Sequence, residues 1–317
     1  GSNLTVPPWG HPWLALSGRL MPTPDQDGDR MALIQRQTPY PHWEFSDSAT
    51  GDLLRIVPER GGLISGWSCS GHEVVYLDLE RFLDPAQSVR GGFPVLFPIT
   101  GGLPGNRLPL PQGEFSLGQH GFARQMPWQL EPLADGLGVQ LQLSDTPETL
   151  KAYPFNFLLS MEVRLAPGAL EISTVVQNRS SEVMPFSFGL HPYFNLSSLE
   201  TVRFEGLPPQ CLNHLSMEEA SSAEQMERLA SGIDLLVKPT GSVRLVDTGA
   251  GTSLELQLSH PLDLVVLWTE PPRPMVCMEP WSGPRQALIS GDRKLELSPG
   301  ASTRLHTRYA FTASTGS

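Results

Sequence analysis

Apolar and polar side chains alternate in Phe157-Leu158-Leu159-Ser160-Met161-Glu162-Val163-Arg164-Leu165. Every odd-numbered position is apolar, and the even-numbered positions from 160 onward are polar. Because successive side chains of a β-strand point to opposite faces, this period of two predicts a strand with one buried face. After the turn Ala166-Pro167-Gly168-Ala169 the apolar positions resume at Leu170 and Ile172. The two runs therefore predict an antiparallel hairpin.

The same alternation recurs towards the C-terminus. Apolar residues alternate over 243–258, on both sides of a Thr248-Gly249-Ala250-Gly251 turn, and again over 305–311. The chain also holds 30 glycines and 31 prolines, which suits many strands joined by tight turns. We therefore predict an all-β fold, a large antiparallel β-sandwich with one or two short helices.

One segment, residues 216–230, lacks the strand pattern. Ser216 stands three residues before Glu219, the spacing of a capping box, and Gly232 offers a C-terminal stop. A short helix is predicted here, between two β portions. Its charged residues are expected to form a solvated face.

Length and composition indicate one domain with an arm. The chain has 317 residues, a length that a single all-β domain can use. Residues 1–40 are rich in proline and show little periodicity, so we expect an irregular N-terminal arm packed on the domain. No repeat or linker divides the remainder, and residues 41–313 are predicted to form a single β-sandwich domain.

Charge and cysteine content exclude several classes of partner. The net charge of −11 repels phosphate backbones, so nucleic acid is not expected. No apolar run reaches the roughly 18 residues of a membrane helix, and the N-terminus lacks a signal-peptide pattern. Cys69, Cys211 and Cys277 are odd in number and far apart, which favours buried free thiols in a reducing compartment. We expect a cytoplasmic protein, monomeric or homodimeric.

A carboxylate beside an aromatic ring stands out in Met278-Glu279-Pro280-Trp281-Ser282-Gly283-Pro284, which follows the apolar run 264–268. That run predicts a buried strand, so Glu279 is expected near its rigid end. An indole ring can cover the C–H face of a pyranose, and a carboxylate can take a proton from a hydroxyl. Taken alone, such a motif is more often a surface glutamate in a proline-stiffened loop with the tryptophan, here Trp281, in the core.

Two histidine motifs favour the sugar-site interpretation. They are Gln119-His120-Gly121-Phe122-Ala123-Arg124 and Gly189-Leu190-His191-Pro192-Tyr193-Phe194. A lone histidine of this kind is usually structural, but two of them with Glu279 can supply acid/base chemistry. The sequence holds no phosphate-binding loop, no dinucleotide fingerprint and no metal-ligand spacing, so neither a cofactor nor a metal is predicted.

In these motifs the chain resembles the aldose 1-epimerase (galactose mutarotase) family and its hexose-6-phosphate epimerase relatives. The matching pieces occur in the family's order: Arg90-Gly91-Gly92-Phe93-Pro94-Val95-Leu96-Phe97-Pro98, Gly105-Asn106-Arg107-Leu108, the two histidine motifs, and Cys277-Met278-Glu279-Pro280-Trp281. The resemblance implies a galactose mutarotase-like supersandwich with the sugar in a cleft on one sheet. It also implies a mutarotase that interconverts the α and β anomers of an aldohexose.

The resemblance implies a role for each matching residue. Glu279 corresponds to the general base at the anomeric O1 hydroxyl, and His191 to the general acid at the ring oxygen. Once the ring opens, rotation about C1–C2 and closure on the other face give the other anomer. His120 corresponds to the second histidine, which binds and polarises the sugar oxygens. The remaining sugar-binding positions implied are Arg107, Asn106, Asp234 and Trp281.

Two arginines leave the substrate open. Arg90 and Arg124 resemble the hexose-6-phosphate branch, in which arginines hold the phosphate, although structural ion pairs would explain them equally. A hexose-6-phosphate 1-epimerase and a non-catalytic sugar-binding or sensing protein therefore remain alternatives, and a small-molecule sugar is the expected partner in each. A glycosidase is disfavoured because only one carboxylate lies in a convincing motif. The mechanism further predicts that Glu279 and His191 flank one cleft with room for a pyranose between them.

Overall fold

The structure, a computed structural model, describes residues 30–314. Strands β1 to β9 are Met31–Arg36, His42–Asp47, Leu53–Val57, Leu63–Cys69, His72–Glu73, Val95–Leu96, Arg107–Leu110, Gly113–Ser116 and Gln129–Pro132. Strands β10 to β18 are Gly138–Ser144, Phe157–Ala166, Ala169–Asn178, Met184–Phe186, Gly189–Leu190, Tyr193–Asn195, Val202–Glu205, Gln210–Asn213 and Glu218–Ser221. Strands β19 to β25 are Asp234–Val237, Val243–Asp247, Thr252–Leu258, Leu264–Trp268, Met275–Trp281, Leu295–Leu297 and Ser302–Ala313.

Helices are few and short in the described part of the chain. The α-helices α1 to α4 are Leu79–Phe82, Pro147–Ala152, Ser222–Glu227 and Ala287–Ser290. Single 3-10 turns occupy Pro104–Asn106, Ala123–Gln125 and Leu229–Ser231. No helix within residues 30–314 is long and apolar enough to cross a membrane.

Three large antiparallel sheets carry the fold. The first contains β1 to β5 in chain order, and the second has the order β16-β20-β21-β25-β12-β11-β10-β9. The third, which carries the site described below, has the order β18-β17-β19-β22-β23-β14-β6, with β15 also paired to β23. The predicted all-β antiparallel sandwich is therefore confirmed, with four short α-helices instead of one or two.

The second and third sheets share one hydrophobic core. Alternate residues of both enter the same cluster of buried side chains, such as Leu159 and Ile172 from one and Val265 and Met278 from the other. The hydroxyl of buried Tyr309 on β25 donates to the carbonyl of Met278 on β23 at 2.8 Å, which ties the two sheets together.

The predicted hairpins are confirmed. Strands β11 and β12 pair from Phe157 opposite Asn178 to Ala166 opposite Ala169, and the burial of β11 alternates along its length. At the turn Gly168 takes a φ of 67°, a left-handed conformation that glycine adopts without steric cost. Strands β20 and β21 pair across the second predicted turn.

The helix predicted over 216–230 is wrong in its bounds. Glu218–Ser221 is instead strand β18, whose backbone pairs with β17, and the helix α3 covers only Ser222–Glu227. Its cap is Ser221, which accepts a hydrogen bond from the Glu224 N–H at 3.3 Å, and not Ser216. Pairing with a neighbouring strand satisfies the backbone that the capping pattern assigned to a helix.

Most of the predicted N-terminal arm, residues 1–29, lies outside the described residues. Within 30–40 the chain is irregular only after residue 36, since Met31–Arg36 forms β1 and pairs with β2. Met31 and Leu33 are buried on one face of that strand, a short alternation hidden by the proline-rich neighbourhood. Cys69, Cys211 and Cys277 are free and buried, as expected.

Candidate active site

A cavity of about 220 Å³ opens on one face of the third sheet. It is lined by Arg90, Gln119, His120, Arg124, His191, Tyr193, Asp234, Val266, Trp268, Glu279, Trp281 and Arg285. The structure thus brings together seven of the nine residues singled out in the sequence, from segments far apart in the chain.

Strand β23 supplies the carboxylate. Val276 and Met278 point into the shared core, so Cys277, Glu279 and Trp281 project from the opposite face. Glu279 is only 1% exposed, and its Oε1 accepts a hydrogen bond from the indole Nε1 of Trp281 at 3.1 Å. Burial raises the pKa of Glu279 well above its usual range, although the indole N–H acts in the opposite direction.

His191 meets Glu279 directly. It follows the short strand β14, its backbone N–H donates to the carbonyl of Pro94 at 2.9 Å, and its ring stacks on Tyr193. The Nε2 of His191 lies 3.5 Å from Oε2 of Glu279. Burial lowers the pKa of His191 to about 3. Burial therefore favours the uncharged form of each group, a carboxylic acid beside a neutral imidazole.

The expectation of a pyranose between these two groups is not met, because 3.5 Å leaves no room for a ring between them. The chemistry explains the closer arrangement. The anomeric hydroxyl and the ring oxygen are bonded to the same carbon, so an acid and a base that serve both must lie side by side. Both groups line the same cavity.

His120 is held in one tautomer by Gly101. The Gly101 backbone N–H donates to the ring Nδ1 of His120 at 2.8 Å, and the backbone N–H of His120 donates back to the Gly101 carbonyl at 2.7 Å. Burial lowers the pKa of His120 well below its usual range, so the ring is neutral. With Nδ1 accepting, the proton resides on Nε2, which can donate to a sugar oxygen.

Asp234 is fixed from both sides by residues that the sequence did not reveal. His214 Nδ1 donates to Oδ1 at 2.9 Å, and Arg285 Nη2 donates to Oδ2 at 3.2 Å. The buried ring of His214 lies 5.9 Å from that of Trp281. Arg285 directly follows the stretch Met278 to Pro284 and could have been found there, whereas nothing in the sequence marks His214.

The two ambiguous arginines both line the cavity. Arg90 pairs with Glu270 at 3.4 Å, but within residues 30–314 no carboxylate oxygen comes within 4 Å of the Arg124 guanidinium. Arg124 donates to the carbonyl of Gln119 at 3.3 Å, and its buried Nε has no hydrogen-bond partner there. Burial lowers the pKa of Arg124. This guanidinium is suited to bind an anion in the cavity.

Asn106 and Arg107 are not brought to the cavity. Arg107 begins β7, and its guanidinium pairs with Glu114 on the partner strand β8 at 3.4 Å, with 74% of the side chain exposed. Asn106 is exposed in the preceding 3-10 turn. The sugar-binding role that the resemblance implied for these two residues therefore has no geometric support, because both lie at the start of the β7–β8 hairpin, outside the cavity.

Comparison with known sequences agrees with the resemblance. The sequence profile of a family described as aldose 1-epimerase matches residues 49–310. A protein of Cenchrus ciliaris, provisionally named a glucose-6-phosphate 1-epimerase, is 33% identical over 159 residues, which are 46% of this chain and 45% of that protein. The chain thus spans about half the length of this relative and of a second one with the same provisional name.

Comparison with solved structures confirms the galactose mutarotase-like fold. The Slr1438 protein of Synechocystis sp. PCC 6803 is 31% identical with a TM-score of 0.83, over 86% of this chain and 96% of that chain. A galactose mutarotase related enzyme of Lactobacillus acidophilus has a TM-score of 0.71 at 22% identity, over 86% of this chain and 98% of that chain. The second likeness concerns the fold alone.

Proposed function

Because this chain belongs to the aldose 1-epimerase family, we propose that it interconverts the α and β anomers of an aldohexose 6-phosphate by acid/base ring opening. The observation that carries the proposal is the Glu279–His191 pair, 3.5 Å apart at a cavity that also holds Arg124. The pair supplies the proton chemistry, and the arginine supplies the contact for an anion.

Ring opening needs one proton removed from O1 and one delivered to the ring oxygen. In the proposed roles the Glu279 carboxylate takes the first, and the His191 imidazolium delivers the second. The step leaves the open-chain aldehyde beside a neutral carboxylic acid and a neutral imidazole, which is the state that burial favours. Rotation about C1–C2 and the reverse transfers close the ring on the other face.

To open the cyclic sugar, the pair must carry its single proton on His191 and not on Glu279. Transfer from Glu279 to His191 across 3.5 Å creates the ion pair without changing the net charge of the cavity. Each positioned acid or base contributes roughly 10²- to 10⁴-fold to the rate. Two such groups and one shared proton therefore form a complete catalyst for this reaction.

The other cavity residues bind the sugar in this proposal. His120 Nε2–H donates to a sugar oxygen, while Asp234 accepts from hydroxyl groups and Arg285 donates to them. The indoles of Trp268 and Trp281 cover the C–H face of the ring.

The phosphate is assigned to Arg124, with Arg90 beside it on the cavity wall. The Arg124 guanidinium lacks a carboxylate partner among the described residues, and a phosphate would satisfy it. A free aldohexose is the second candidate, since Arg90 is already paired with Glu270 and a net charge of −11 repels anions. The provisional name of the Cenchrus ciliaris relative favours the phosphorylated sugar.

The substrate is tested by measuring anomer exchange of glucose and of glucose 6-phosphate by NMR. Arg124→Ala is expected to raise KM for glucose 6-phosphate by at least about 10-fold, the effect of losing one hydrogen bond to a charged group, and to leave glucose unaffected. Arg107→Ala, outside the cavity, is the matched control and should match the wild type with both sugars. An equal effect of Arg124→Ala on both sugars would move the proposal to the free aldohexose.

A further inference from the structure

Cys277 lies beneath the proposed catalytic pair and takes no part in the proton transfers. It stands two residues before Glu279 on β23, so both side chains leave the same face of the strand. Its strand neighbours Tyr193 and Trp268 both line the cavity, and Cys277 itself is fully buried. A fully buried thiol thus points toward the floor of the cavity.

Three potential metal ligands converge there. The Sγ of Cys277, one imidazole nitrogen of His191 and one carboxylate oxygen of Glu279 all lie within 4.8 Å of one another. A nitrogen and an oxygen ligand of one tetrahedral zinc ion are separated by about 3.4 Å, because each bond is about 2.0–2.1 Å long. The 3.5 Å between His191 Nε2 and Glu279 Oε2 already has that spacing. The widest pair needs to close by only about 1 Å.

From this convergence we propose that Cys277, His191 and Glu279 bind a thiophilic divalent cation of the zinc class, and that the bound cation inhibits the epimerase. The inhibition rests on the proposed function, whereas the binding does not. Three protein ligands leave the fourth tetrahedral position open toward the cavity, where water or a sugar hydroxyl completes it. A thiolate and an imidazole select zinc over magnesium, which prefers oxygen ligands.

The charges of the cation and its three ligands balance at this buried site. Binding requires a thiolate and a carboxylate, so the Cys277 thiol and the Glu279–His191 pair release their protons to solvent. Two anions and a neutral imidazole then compensate the double charge of the ion, and no net charge is buried. Glu279 can no longer take a proton from O1, and the His191 lone pair is occupied. Catalysis therefore stops while the metal is bound.

Cobalt(II) tests the binding without any sugar, because a thiolate–Co²⁺ bond gives an intense near-ultraviolet charge-transfer band. The wild type should develop the band with one equivalent of Co²⁺ and lose it when Zn²⁺ is added. Cys277→Ser should abolish the band, while Cys211→Ser should retain it, since Cys211 is buried on β17 and is not one of the converging ligands. Absence of the band, or its persistence in Cys277→Ser, would overturn the proposed site.

Glu279→Gln gives a second readout that does not depend on the folding of a cysteine variant. It removes one anionic ligand and should weaken Co²⁺ binding at least about 10-fold, a change typical even of outer-shell metal contacts. Unchanged Co²⁺ affinity would contradict the ligand set. In the wild type, Zn²⁺ should eliminate anomer exchange, EDTA should restore it, and Mg²⁺ should have no effect. Exchange that persists with the site saturated would overturn the inhibition and leave the binding result standing.

Discussion

At Glu279 the protein places an almost fully buried carboxyl group at the edge of the cavity. Burial raises its pKa, and the only direct hydrogen bond to it from a protein N–H among the described residues comes from Trp281. Its neighbour His191 has its pKa lowered by the same burial. Burial disfavours the charged form of both residues, so we treat them as one coupled pair that shares a proton.

Asp234 depends on His214 for its orientation. His214→Ala removes a hydrogen bond to a carboxylate, worth about 1.5 kcal/mol, and should raise KM roughly 10-fold while kcat changes little. The matched control is His42→Ala, another buried histidine, whose Nδ1 faces the carbonyl of Tyr40. Steady-state kinetics of both variants, with circular dichroism to verify folding, make the comparison. A fall in kcat with KM unchanged would contradict a positioning role for His214.

At the scale of elements, one glycine in the loop after β6, Gly101, contacts two residues of the site, His120 and Arg285. Gly101 donates its N–H to His120 and has a φ of 73°. A Cβ at this position would meet Cγ of Arg285 at 2.5 Å, so the stem of that arginine rests where a side chain would be. Gly101 therefore fixes the tautomer of His120 and leaves the space that the side chain of Arg285 occupies.

Gly101→Ala should consequently impair both stability and sugar binding. Forcing alanine into a left-handed conformation costs about 1–3 kcal/mol of unfolding free energy, and displacement of Arg285 should raise KM. Gly102→Ala is the matched control, because a Cβ there meets nothing within 4 Å. It should stay within about 0.5 kcal/mol of the wild type. Chemical denaturation and kinetics on both variants test this, and equal behaviour of the two would refute it.

Elements whose signal is local could be predicted from the sequence. The β11–β12 hairpin follows from period-two alternation and one turn, and both are visible within 157–178. Strand β18 could not be predicted in the same way, because its backbone partner β17 outweighed a local capping pattern. Tertiary context decided the outcome there.

The site divides along the same line. Glu279, His191 and His120 lie in recognisable motifs, and the fold brings all three to one cavity. Arg107 also lies in a motif, but its strand β7 pairs with β8 and leaves it outside the cavity. His214 contacts Asp234 because β17 pairs with β19, and no local sequence pattern predicts that pairing.

At the scale of the whole molecule, the buried carboxyl makes stability depend on pH. The pKa of Glu279 is raised in the folded state, so between its unfolded and folded values only the folded chain keeps the proton. The free energy of unfolding therefore falls as pH rises through that window. Above pH 7 His191 is neutral in both states and adds no slope.

The dependence is measured as the difference between the wild type and Glu279→Gln. Above the unfolded-state pKa of about 4.3, the wild type should lose up to about 1.4 kcal/mol per pH unit relative to the variant, until the folded-state pKa is reached. Denaturant titrations across this range provide the slopes. Parallel slopes for the two proteins would mean that Glu279 is ionised in the folded state.

The Glu279–His191 pair is the central claim, and polarimetry of freshly dissolved α-glucose, α-galactose and α-glucose 6-phosphate tests it most directly. Wild type should accelerate mutarotation of at least one sugar, and Glu279→Gln should lose roughly 10²- to 10⁴-fold while still binding it. The exposed Glu219→Gln variant controls for the substitution itself and should match the wild type. A Glu279→Gln protein as fast as the wild type would contradict the account.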